Sequence, residues 1–312
     1  MLNTTPYANS VFEQPWWLDI VAPGEWGEVT VKEGDEIVAR LPYVLQKGRI
    51  TLPPLTQTLG PWMKSEYRQL QPGNTQLSKQ KELIAALLGQ LPRHKSFHVT
   101  FDSANEYILP YRWLGYRYEP EFSYRLTDLC DTDALYAALN KTAKKNIKAA
   151  RNKTTLVEQP TAKMLMDLLD KTFGAQGRKW PHDRDLTRRI IEKSVENGHG
   201  KLIVARDPEG NLHSGAFLLY DEKVCYYLLG GSDSAFRSSG AQSLVLWEAI
   251  RFAATVSQAF DFEGSNVEGI ENFFRQFGSG RVTNYCVIKQ SFFADCLAMA
   301  KPRVKKLLGY KI

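Results

Sequence analysis

Cys225-Tyr226-Tyr227-Leu228-Leu229-Gly230-Gly231, then Ser232-Asp233-Ser234-Ala235-Phe236-Arg237-Ser238-Ser239-Gly240-Ala241, then a helical stretch from about Gln242 to Ser257, then Ala259-Phe260-Asp261-Phe262-Glu263-Gly264-Ser265: this order decides the fold. The first segment reads as an apolar strand that breaks at Gly230-Gly231, and the last as a second strand closed by Gly264-Ser265. A strand, a crossover helix and a strand place the two strands side by side and parallel. The free N–H groups of the helix then sit at the carboxyl end of the first strand. That position suits a phosphate or a developing negative charge. Leu244, Val245, Trp247 and Ile250 give this helix a broad apolar face, so it reads as core packing.

Upstream of this unit, Leu202 to Arg206, Gly215 to Tyr220 and Val224 to Leu229 form a meander with turns at Asp207-Pro208-Glu209-Gly210 and Asp221-Glu222. Downstream, Ile270 to Gly278 is a short aromatic helix and Asn284 to Lys289 a closing strand. The N-terminal half shows the same order. Glu28 to Val31, Glu36 to Tyr43 and Arg49 to Leu52 form a meander, Ser78 to Leu91 a helix, and Phe97 to Phe101 a strand. Ile108 to Gly115 is a short helix, and Phe122 to Leu126 a strand. Phe97 matches Phe260, Leu114 matches Phe277, Gly115 matches Gly278 and Tyr124 matches Val287, all at one offset. The chain therefore reads as two copies of one α/β unit with mixed sheets, residues 1–127 and 128–312.

The 312 residues are enough for two domains of ordinary core size, and 43% apolar with 24% charged residues is a globular composition. No apolar run approaches the roughly 20 residues of a membrane helix, and the N-terminus has no basic or apolar signal region. A cytoplasmic protein is expected, with peripheral contact at the inner face of a membrane. Cys130, Cys225, Cys286 and Cys296 are scattered and read as reduced, mostly buried thiols. His182, His199 and His213 lack metal-ligand spacing, so no metal is expected. The net charge of +6 fits an anionic substrate or cofactor.

A meander, a crossover helix, a strand, a short helix and a strand resemble the GNAT acyltransferase fold. Two such units in tandem resemble the Fem-type (FemABX) peptidyltransferases and the related FemAB-like acetyltransferase-domain proteins. The resemblance rests on Gly230-Gly231-Ser232-Asp233, Arg237-Ser238-Ser239-Gly240, Trp247-Glu248-Ala249-Ile250, Phe260 to Ser265 and Asn272 to Gly278. It covers nearly the whole C-terminal half and the N-terminal half as a weak echo. It implies N-acyl transfer onto an amine of a cell-envelope sugar or peptide precursor. The donor it implies is acetyl-CoA or another acyl-CoA, or, as in Fem-type enzymes, a charged tRNA. A catalytically inactive GNAT-like binding module is the rival reading. The acceptor would be a small-molecule or lipid-linked amine.

The family holds the cofactor pyrophosphate with a loop of the form Gln/Arg-x-x-Gly-x-Gly/Ala. Arg237 and Gly240 match this pattern, while Gln242 stands at the last small position. The resemblance thus assigns Leu229, Gly230, Arg237, Ser238, Ser239, Gly240 and Ala241 to the cofactor, with Gly240 leaving room for backbone N–H groups to approach phosphates. Nothing in the N-terminal copy corresponds to Arg-x-x-Gly, so that copy is expected to be non-catalytic. Acyl transfer to an amine needs a base, donors for the oxyanion and alignment. Glu263 is the first candidate base and Asp233 the second, both at carboxyl ends of strands. Backbone atoms of Leu228, Leu229 or Gly230 are candidates for the oxyanion, and Tyr226 or Tyr227 for protonating a leaving group.

An amphipathic helix is expected over Asp133 to Arg151. Lys141, Lys144, Lys145, Lys148 and Arg151 lie opposite its apolar side, and Lys144 and Lys148 are candidate contacts to tRNA phosphate or anionic lipid. The Lys301 to Lys311 segment adds five more cations. In Gly177 to Asp183, Trp180 is a candidate for stacking on a sugar and Arg178 for clamping a carboxylate or phosphate. No classical nucleic-acid motif appears, and no DNA partner is expected.

Overall fold

The structure is a computed structural model that describes residues 2–68, 74–264 and 268–290. The Lys301 to Lys311 segment, Ser265 and Cys296 lie outside the described residues. In chain order the elements are α1 (Pro15–Val21), β1 (Trp26–Glu33), β2 (Glu36–Gln46), β3 (Arg49–Thr51), β4 (Trp62–Met63), α2 (Ser65–Arg68), α3 (Asn74–Gln90), β5 (Ser96–Phe101), α4 (Leu109–Trp113) and β6 (Arg117–Leu126). Then follow α5 (Thr132–Ala138), α6 (Lys141–Arg151), β7 (Thr155–Leu156), α7 (Ala162–Gly174), α8 (Arg184–Glu196), β8 (Gly200–Arg206), β9 (Leu212–Tyr220), β10 (Val224–Ser232), α9 (Ala241–Val256), β11 (Ala259–Asp261), α10 (Glu268–Phe274) and β12 (Gly280–Lys289).

Contacts group the chain into two compact units. The first is residues up to Thr5 with Ser10–Val21 and Phe122–Thr283; the second is Pro6–Asn9, Ala22–Glu121 and the described chain from Asn284. In the first unit the strands run β6, β11, β10, β9, β8, β7, antiparallel except for the parallel pair β10–β11. In the second they run β1, β2, β3, β5, β12, again with one parallel pair, β3–β5, and β4 beside β2. The sequence repeat is therefore a repeat of sheet topology. Gly115 and Gly278, one offset apart, both turn the chain in the left-handed region, at φ 83° and 77°. The closing strands are exchanged. Arg125 and Leu126 of the first copy pair with β11, and Tyr285 to Lys289 of the second copy pair with β5.

The first unit's core gathers on α9, where Val245, Leu246, Ala249 and Ile250 pack with Ile147 of α6 and Phe260 of β11. No helix among the described residues is long and apolar enough to cross a membrane. Cys225 and Cys286 are buried and Cys130 is exposed.

Two details correct the sequence reading. The stretch Asp133 to Arg151 is two helices, because Asn140 starts a new one: its side chain accepts a hydrogen bond from Ala143 N at 2.7 Å. The strand through Tyr226 does not break at Gly230-Gly231 but runs on to Ser232. There the glycines serve packing. A Cβ on Gly231 would lie 2.9 Å from the backbone of Leu168 and Leu169, so only glycine lets α7 settle against the sheet.

Candidate active site

A cleft of about 720 Å³ opens in the first unit where β10 and β11 part. The two strands pair in parallel only as far as Tyr226 and Asp261. Beyond that point Phe262 N donates to Tyr124 O, while β10 continues alone on that side. On the other side of β10, the register against β9 jumps between Tyr227 and Leu229, so Leu228 sits in a β-bulge. Splay and bulge together take Leu228 out of the regular ladder, and Leu228 lines the cleft. Thr172 fixes the strand end, accepting from Ser232 N at 2.7 Å.

Glu263 stands at the mouth of β11. It has φ 62°, a left-handed conformation unusual for a side chain other than glycine. Asp261 holds it there: its Oδ1 accepts from Glu263 N at 2.7 Å and from the Ser123 hydroxyl, and its Oδ2 accepts from Arg125 Nε at 2.9 Å. Asp261 is wholly buried, so Arg125 supplies the charge that keeps it there. Gly264 completes the turn, because a Cβ would come within 2.1 Å of Phe122 O. Burial, and then the charge of Asp261, push the Glu263 carboxyl well above the usual carboxylate range. Its Oε1 is shut off from solvent and has no hydrogen-bond partner among the described residues. A strained carboxyl with one oxygen buried and unpartnered in a cleft is a costly arrangement, and such arrangements concentrate at reactive sites.

Tyr227 lines the same cleft, with its hydroxyl packed on Gly230: a Cβ there would fall 2.0 Å from it. Burial raises its pKa far above that of a free tyrosine, so it stays protonated. Its neighbour Tyr226 points the other way, into the core against Phe12, and does not line the cleft. Asp233 caps the turn that begins at Ser234 by accepting from Ala235 N, and pairs with Lys171 at 2.7 Å. The Lys171 hydrogen bond holds its carboxyl below the usual range, which suits a cap rather than a base.

Of the residues assigned to a cofactor, Gly230 and Arg237 line the cleft, together with Gln242. Leu229 is buried against β9, Ser239 accepts from Ala241 N, and Ser238 is exposed outside the cleft. Gly240 is needed for another reason than the one expected. With φ 80° and an absent Cβ that would lie 2.4 Å from Asn146 O, it lets α9 pack on α6. Trp180 is committed to packing: it donates to Thr187 and stacks edge-on against Phe173. Arg178 lies over the Phe173 ring at 5.8 Å, away from the cleft. Lys144 donates to Ala137 O, whereas Lys141, Lys145 and Lys148 stand exposed on α6. Arg151 pairs with Glu248.

Two walls of the cleft lie outside the candidates read from sequence. Thr172, Ala175 and Gln176 come from α7 and the turn after it, and Ile270, Phe273 and Gln276 from α10 and its extension. The signal for α7 was present: Thr161 caps it by accepting from Met164 N, and Leu165, Met166, Leu168 and Leu169 make its buried side.

Residues 137–275 match the family described as acetyltransferase (GNAT) domain. No curated protein sequence matches the chain. Among solved structures, FemX is similar, with a TM-score of 0.66 and 14% identity over 91% of this chain and 93% of that one. L-PGS from Bacillus licheniformis is similar at TM-score 0.51 and 14% identity, covering 94% and 91%. A tandem GNAT protein from the clavulanic acid biosynthesis pathway is similar at TM-score 0.50 and 12% identity, covering 88% of each chain. Residues 137–275 thus match a GNAT domain, and the chain shares the mixed α/β fold of FemX and of the tandem GNAT protein.

Proposed function

We propose that this protein is an N-acyltransferase whose reaction centre is the cleft between Glu263 and the bulge at Leu228. The observation that carries this reading is the Glu263 carboxyl, held in a left-handed turn with Oε1 buried and unpartnered among the described residues, and raised in pKa, at the wall of the cleft. A binding module gains nothing from that cost; a base does. Glu263 takes a proton from the acceptor amine as its nitrogen bonds to the acyl carbon. Main-chain N–H groups at Leu228 to Gly230 receive the charge that builds on the acyl oxygen. The bond to the leaving group breaks, and the departing atom takes the Tyr227 proton. The second unit, whose sequence has no counterpart of the Arg237-x-x-Gly240 pattern, is not catalytic.

The donor favoured is an acyl-CoA. Arg237 and Ser234 line the cleft beside the start of α9, where a cation, a hydroxyl and a helix N-terminus suit phosphate. A bound acyl-CoA would supply the activated thioester. One pair of observations favours an aminoacyl-tRNA instead: Gln242 occupies the cleft wall at the family's small position, and Lys141, Lys145 and Lys148 are exposed on α6. Calorimetric titration with acetyl-CoA and free CoA, on wild type and Arg237→Ala, tests the choice. Micromolar binding that weakens at least tenfold in the variant supports acyl-CoA. No binding of either ligand refutes it and shifts attention to charged tRNA. Gly240 is unsuited to this test, because any side chain there strikes Asn146.

A further inference from the structure

The second unit holds a cavity of its own, of about 580 Å³, lined by Glu25, Gln46, Lys47, Arg49, Thr51 and Lys95. Backbone hydrogen bonds bring its three segments together: Leu45 N donates to Glu25 O at 2.8 Å, and Lys95 N to Gly48 O at 2.7 Å. Lys47-Gly48 is the two-residue turn between β2 and β3, with φ 51° and 76°. Such turns favour Asn-Gly, so a left-handed lysine is held there against its backbone preference. Ile50 is buried in the core, which leaves Arg49 and Thr51 on the opposite face of β3. Glu25 is the one acid lining the cavity, and Gln46 Nε2 donates to its Oε2 at 2.6 Å. Lys47, Arg49 and Lys95 are exposed and form no ion pair among the described residues.

We infer that this cavity binds a small molecule through a phosphate or pyrophosphate group. Three like charges around one concavity repel one another and focus a positive potential into it, which a multiply charged anion relieves. The planar fork of Arg49 can take two oxygens at once, the two ammonium groups act as point charges, and the Thr51 hydroxyl adds a neutral donor. That set outnumbers the oxygens of a single carboxylate and suits the several oxygens of a phosphoryl group. The volume is that of a small-ligand site, within roughly 300–1,000 Å³. The repeat separates this site from the cleft of the first unit. That cleft opens beyond the carboxyl ends of the parallel pair β10–β11, where pairing stops at Tyr226 and Asp261. Here Lys47 and Lys95 stand at the amino ends of the matching pair β3–β5, where Arg49 lies opposite Ser96. The cavity is therefore not a second copy of the donor site, and the inference does not depend on acyl transfer.

The experiment is calorimetric titration of inorganic pyrophosphate into the full chain carrying Arg237→Ala, so that the cation of the first unit's cleft does not contribute. The expected result is saturable binding that falls with added salt and weakens roughly fivefold or more in each of Lys47→Asn, Arg49→Gln and Lys95→Gln. Lys47→Asn also eases the turn, so its Tm should hold or rise while binding falls, which separates lost recognition from lost folding. Binding that does not saturate, or that the three substitutions leave unchanged, overturns the inference. Phosphatidylcholine vesicles containing phosphatidic acid, and a short single-stranded RNA, are titrated alongside. Capture of either that needs these three cations, without pyrophosphate binding, overturns the small-molecule assignment and makes the cavity part of a membrane or RNA face.

Discussion

Arg125→Met should be among the most damaging single changes to the first unit. Asp261 is wholly buried, and Arg125 reaches its Oδ2 through Nε at 2.9 Å and through a terminal guanidinium nitrogen at 2.8 Å. The other carboxylate oxygen receives Ser123 and Glu263 N, which solvate the charge without neutralising it. Met keeps most of the aliphatic stem and removes only the cation. Breaking one side of such a buried pair costs about 3–5 kcal/mol, against about 0–1 kcal/mol for an exposed pair. For a domain of this size about 2–4 °C is lost per kcal/mol, so calorimetry should show a fall in Tm of roughly 6–20 °C. Arg125→Met/Asp261→Asn should recover part of the loss, because the orphaned charge is gone while Ser123 keeps a partner. A fall of less than about 3 °C in the single variant would refute the reasoning and mean that water screens the pair.

Other consequences follow from the same geometry. Gly231→Ala forces α7 off the sheet by the width of its clash at 2.9 Å and should cost about 1–3 kcal/mol in urea unfolding. Glu263→Gly should raise stability by about 1 kcal/mol or more while abolishing turnover, since it relieves both the φ of 62° and the buried carboxyl. Glu263→Gln keeps the strained turn and removes only the titration. An unfolded glutamate titrates near 4.3, roughly, and the folded carboxyl higher, so wild type loses stability as pH rises between the two values. Glu263→Gln should therefore gain on wild type across that window and not below it. Asp233→Asn should leave kcat within about threefold and cost about 1 kcal/mol or less, as the change of a cap and a partly exposed ion pair.

The crossover unit and its repeat were legible in the sequence because both are written in local patterns. Alternation marks the strands, and Gly115 and Gly278 mark matching turns where the backbone needs a positive φ. The exchange of closing strands was not legible, because the patterns of 117–126 and 280–289 say nothing about which neighbour each strand chooses. The position of Glu263 at the carboxyl end of a strand was legible, but its place in a cleft, its strain and its orphaned oxygen arise from tertiary contacts around Asp261, Ser123 and Phe122. Tyr226 and Tyr227 fall on opposite faces of β10 by strand alternation, and which face carries the cleft is set by tertiary packing, with Phe12 covering Tyr226. Gly240 shows the converse error, since a glycine suited to phosphate in a motif is here occupied by the packing of α6.

The central claim is that Glu263 is the base of an acyl transfer. The most direct measurement is kcat/KM for the accepting amine against pH, for wild type and Glu263→Gln, with acetyl-CoA saturating. The account predicts that wild-type activity rises with pH through an apparent pKa well above that of a free glutamate. It also predicts that Glu263→Gln loses roughly 10²–10⁴-fold and with it the pH dependence. A variant that keeps wild-type activity and the same pH profile would contradict it.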